Sequence, residues 1–73
     1  MARHWQDFGE GADGPLQIIK GERHALLLGD HEADATVGVY EVDEDGELGG
    51  QIALMSFLDV ETAKKSLIDF SVD

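Results

Sequence analysis

Five acids fall within the seven residues Glu41 to Glu47, the densest cluster of potential ligands in the chain. Glu41-Val42-Asp43-Glu44-Asp45-Gly46 has the spacing with which a calcium loop opens: oxygen ligands at positions one, three and five, and glycine at six. The pattern fails further on. Position one is Glu rather than Asp, and position twelve, where a bidentate Glu belongs, is Ile52. A solvated hairpin turn with unspecific cation association is the expectation. His31-Glu32 opens a zinc-protease motif whose second histidine would fall at Ala35. His31 with Asp30, Glu32 and Asp34 would ligate a metal only if His4 or His24 came near, and the spacing does not require that. No catalytic, cofactor-binding or metal-ligating residue is therefore assigned.

Nucleophilic catalysis is equally poorly served. The chain has no cysteine, and Ser56, Ser66 and Ser71 cluster towards its end, outside any Gly-x-Ser-x-Gly turn. Gly9, Gly11 and Gly14 lack the strand–turn–helix setting of a phosphate loop. A carboxylic acid used as a catalyst needs surroundings that raise its pKa, and a chain of 73 residues has little room for a water-excluding pocket. A non-enzymatic protein without cofactor is expected.

Order along the chain is clearer. Residues 1–14 show no sustained period and read as an irregular arm with aromatic anchors Trp5 and Phe8, ending in a turn before Pro15. Leu16 to Lys20 and Arg23 to Leu28 are short β-rich runs around Gly21-Glu22, a spacing that suits a type II′ hairpin. Ala35 to Val42 is β-branched, Asp45-Gly46 signals a hairpin, and Leu48 to Phe57 returns, with Gly49-Gly50 offering a bulge. Over 59–71 the period becomes helical. Asp59 is the N-cap, Glu61 suits the positive first turn, and Val60, Ala63, Leu67, Ile68 and Phe70 form one face. The expectation is a single domain spanning 1–73. It has an α+β architecture: an antiparallel sheet of about four strands in two hairpins over 15–57, with one amphipathic helix packed on it.

Both sides of that sheet are apolar. Strict alternation puts Leu16, Ile18, Leu26, Leu28, Val37, Val39, Ile52 and Leu54 in one set. Ile19, Ala25, Leu27, Tyr40, Val42, Ala53, Met55 and Phe57 form the other. A sheet with one solvated face alternates with polar residues, and one helix about 10–12 Å across covers only some of the strands. The arm, through Trp5 and Phe8, a second copy of the chain, or both together must cover the remaining face. A homo-oligomer, most simply a dimer, is expected.

Charge bounds the partners. The chain carries 16 acids against 5 bases, a net charge of −11. The segment 41–60 alone holds six acids and no base. Lys64-Lys65, Arg23 and Lys20 are too few to make a nucleic-acid stripe, and an anionic membrane surface is disfavoured for the same reason. No apolar run approaches the 18 residues of a spanning helix, and no basic-then-apolar leader opens the chain, so a cytoplasmic protein is expected. Acid-rich, lysine-poor composition with small apolar residues resembles the proteins of halophilic archaea, whose cytoplasm holds molar salt. That resemblance covers the whole chain and rests on composition, not on a motif. It implies a fold that relies on screening. The readings of function are three: a self-associating module whose role is to bind itself or another protein, an acidic decoy imitating DNA, and a weak metal- or small-ligand-binding protein.

Overall fold

A computed structural model describes residues 4–11 and 14–73. Five strands follow one another as β1 (Gln6–Gly11), β2 (Gly14–Lys20), β3 (His24–Asp30), β4 (Ala35–Val42) and β5 (Leu48–Phe57), and one helix, α1 (Val60–Ser66), completes the chain. The sheet order is β1-β2-β3-β4-β5, every neighbouring pair antiparallel. The fold is thus α+β, with five strands rather than about four. The additional strand lies where the sequence suggests an irregular arm. Gln6 pairs with Ile18 and Asp7 with Gln17 before the register shifts ahead of Glu10, and Gly9 takes up that shift at φ 90°. Alternation fails across the shift, which hides the strand from a search for period two. The turn expected before Pro15 includes residues 12–13, which lie outside the described residues, as does the start of the arm at 1–3.

Helix α1 packs across β3, β4 and β5. The core beneath it joins Ile19, Leu26, Leu28, Ala35, Val37 and Val39 of the sheet to Ala63 and Leu67, with Trp5, Met55, Phe57 and Val60 packed around them. This corrects the expected grouping, which placed Leu16 and Ile18 with Leu26 and Leu28. Register decides the matter: Ile18 pairs with Leu27 and Ile19 with Leu26, so odd positions of β2 share a side with even positions of β3. The β2–β3 loop consists of Glu22 and Arg23, closed by the Gly21 N–H donating to the His24 carbonyl at 2.9 Å. It is therefore displaced by one residue from Gly21-Glu22, and Gly21 has no positive φ.

The β4–β5 hairpin forms where Asp45-Gly46 signalled it. Gly46 sits at φ 80° and donates to the Asp43 carbonyl, while the Asp43 N–H donates to Glu47. This is a three-residue loop with glycine in the left-handed position.

Asp59 caps α1 as expected, its carboxylate accepting the Thr62 N–H at 2.7 Å. The helix ends at Ser66 rather than 71. Leu67 is buried, whereas Ile68 is 68% exposed and Phe70 lies outside the core. The chain leaves the helix because Val72 is held elsewhere. Its carbonyl accepts the N–H groups of Arg23 (3.1 Å) and His24 (2.9 Å), and its side chain is buried. A helix continued to 71 would carry that carbonyl away from the β2–β3 loop.

Candidate functional site

The side of the sheet opposite α1 is the feature that most resembles a site. Ile18, Leu27, Gly38 and Leu54 lie in one register row across β2 to β5. Leu16, Gly29, Thr36 and Ser56 form a second row, and Lys20, Ala25, Tyr40 and Gln51 a third. Gln51 follows a register shift and leaves Ile52 as the extra residue of a bulge, alternating with Ala53 onto the same open side as Leu54. The centre of the face is low. A Cβ on Gly38 would overlap the ring of Tyr40, so that ring occupies the space a side chain would take. The Tyr40 hydroxyl then donates to Gln51 Oε1 at 3.0 Å, fixing the ring across the β4–β5 pair.

No Asp or Glu occupies any of these register positions, and Lys20 is the one charged residue among them. Every described Asp and Glu is exposed, but they lie elsewhere. Asp30 shares its row with Ala35 and Phe57 on the helix side, and Glu41 is paired with His24 there. The others lie on β1, in the turns, on α1 and at the C-terminus. Of the two aromatic anchors of the arm, Trp5 packs on the helix-side core and Phe8 is 48% exposed on β1. Leu54, at 62% exposed, and Ile52, at 52%, are open to solvent.

The other candidates from sequence are scattered by the fold. Among the described residues no three His, Asp or Glu side chains gather to hold a metal. In the acidic turn, one Asp43 carboxylate oxygen accepts the N–H groups of Asp45 and Glu47, each at 2.9 Å, so that residue ties the loop. His31 Nε2 lies 2.8 Å from Thr36 Oγ1, beside a shallow depression that Glu32 and Asp34 also line. His24 Nδ1 is buried with no hydrogen-bond partner. Ser56 lies on the open face, Ser66 ends α1, and the Ser71 hydroxyl donates to the Asp73 carbonyl at 3.5 Å. The bases also separate, with Lys20 on the open face, Arg23 in a loop, and Lys65 beside Glu61 at 3.7 Å on α1.

A groove of about 790 Å³ lies on the helix side, between the residues around Trp5 and the C-terminal segment. Ile19, Leu26, Leu67 and Val72 line it together with Lys64, Asp69 and Asp73. Its charges have both signs. No helix among the described residues is long and apolar enough to cross a membrane. No protein-family model matches the chain, and neither a curated protein nor a solved structure matches it.

Sequence reasoning found both sheet faces apolar but missed that one of them is free of acids. The signal was present in residues 16–57, but it emerges only when the residues are assigned to sides in the correct register.

Proposed function

We propose that this chain is a non-enzymatic interaction module that binds a second copy of itself through the open sheet face. The observation that carries the reading is the acid-free face itself. In a chain of net charge −11 it is a broad surface whose strand positions hold no carboxylate. Acids reach it only at the rim, where Glu32 and Asp34 line a depression with Thr36. Its exposed Ile52 and Leu54 supply apolar area, and four strands about 4.8 Å apart and some six residues long span roughly 400 Å² per copy. Two such faces together bury about 800 Å², below the size of stable specific interfaces, so the dimer is weak and concentration-dependent rather than permanent. The composition fits a salt-rich cytoplasm, where screening reduces repulsion between copies.

Sedimentation across a concentration series in molar salt tests this. The expected result is self-association at high concentration whose mass falls after Leu27→Lys, which places a charge in the middle of the face. A single copy at every concentration, or a dimer indifferent to Leu27→Lys, overturns the face contact.

A further inference from the structure

The two edges of the sheet differ in a way that points to a second mode of recognition. Edge strands expose unpaired N–H and C=O groups, and proteins blunt them with charge, proline, bulges or shortness. β1 is blunted in three of these ways: it is six residues long, carries Asp7 and Glu10, and shifts register at Gly9. β5 is ten residues long, pairs among the described residues with β4 alone, and contains neither charge nor proline in Leu48-Gly-Gly-Gln-Ile-Ala-Leu-Met-Ser-Phe57. Its register shifts are confined to its first half. Ala53 to Phe57 runs in unbroken register with Ala35 to Val39, and Ala53, Leu54 and Ser56 along it are exposed.

We infer that the Ala53–Phe57 edge of β5 pairs antiparallel with the same segment of a second copy, extending the sheet from five strands to ten. Charge selects both the occupant and the direction. An uncharged segment can meet its own copy although each chain carries −11. Antiparallel pairing sends the two acidic 43–47 turns to opposite ends, roughly 50 Å apart at about 3.4 Å per residue, several Debye lengths at physiological salt. Parallel pairing would set those turns side by side, one strand spacing apart. The edge contact is backbone to backbone and does not depend on the face contact proposed above.

Leu27→Lys separates the two contacts, because it charges the face and leaves the edge intact. In that variant the edge pairing gives a two-copy mass. Between micromolar and millimolar protein, it also slows exchange at alternate amides of Ala53–Phe57, those directed away from β4, by at least about tenfold. A single-copy mass with concentration-independent exchange overturns the edge pairing, and the face contact then stands or falls on the mass of the unmodified chain. Should Leu27→Lys fail to fold, the unmodified chain decides. A dimer whose β5 amides exchange at open-edge rates overturns the edge pairing, and alternate protection supports it.

Discussion

Asp59 shows how one carboxylate sets a boundary of the fold. It accepts the Thr62 N–H, and that backbone hydrogen bond, more than any other influence, holds its pKa below the ordinary value of 3.8. A folded pKa below the unfolded one means that the stabilisation is present above the ordinary value and is lost as pH falls through the lower folded pKa. Asp59→Asn should therefore leave the neutral melting temperature nearly unchanged and soften the acid limb of a circular-dichroism melting series, while Asp59→Ala lowers the melting temperature throughout. Equal melting curves for all three would remove the cap from the account. Gly21 offers a second test. A Cβ there would overlap the Val72 carbonyl that accepts from Arg23 and His24, so Gly21→Ala must push the C-terminal segment off the β2–β3 loop. A loss of about 1–3 kcal/mol in urea unfolding is expected, the usual range for overpacking. Gly46→Ala would act differently, by forcing a positive φ on a residue whose added Cβ would meet only the Lys20 Nζ, at 3.8 Å.

At the scale of elements, α1 is the part that holds the sheet's buried side, and its phase is testable with two neighbouring residues. Leu67 is 8% exposed and Ile68 is 68% exposed. Leu67→Asp should unfold the domain at a cost of several kcal/mol for an unpaired buried charge, whereas Ile68→Asp should stay within about 0.5 kcal/mol of the parent in the same urea titration. If Ile68→Asp is the damaging change, the helix continues past Ser66. The spans of β4 and β5, the Asp59 cap and the Asp45-Gly46 hairpin are legible in the sequence because each is a local signal: β-branched runs, a capping side chain, a glycine that tolerates positive φ. β1 is not legible because Gly9 breaks its alternation, and α1 looks too long because Ile68 and Phe70 continue its apolar spacing into a segment fixed by Val72. The open face needs still more. Whether Ile18 sides with Leu26 or Leu27 is settled by the loop at Glu22-Arg23, so an error of one position there reassigns a whole strand. The acidic turn is legible as a turn, and what it contributes chemically, Asp43 tying two N–H groups, emerges only from its folded geometry.

Over the whole molecule, the governing quantity is the charge of −11 spread over turns, edge and helix while one face stays clear. With every described acid exposed, the carboxylates face water and one another, and five bases cannot neutralise them. Screening should then stabilise the fold as salt rises from about 0.1 M to above 1 M, over which the Debye length shortens from roughly 10 Å to 3 Å. Salting-out also strengthens apolar burial, so melting should be followed in sodium chloride and, in parallel, in sucrose, which excludes without screening. The triple change Asp43→Asn, Glu44→Gln and Asp45→Asn removes three charges from the densest part of the field. The amide that replaces the Asp43 carboxylate keeps an oxygen for the Asp45 and Glu47 positions' N–H groups, so the loop stays tied. This variant should need less salt than the parent to reach the same melting temperature and respond to sucrose as the parent does. The same screening should tighten self-association, because two copies at −11 repel one another at long range even when the surfaces that meet are free of acids. A melting temperature flat across the salt series in both chains would show that repulsion does not limit this fold, and would return weight to an acidic surface kept for a basic or DNA-binding partner.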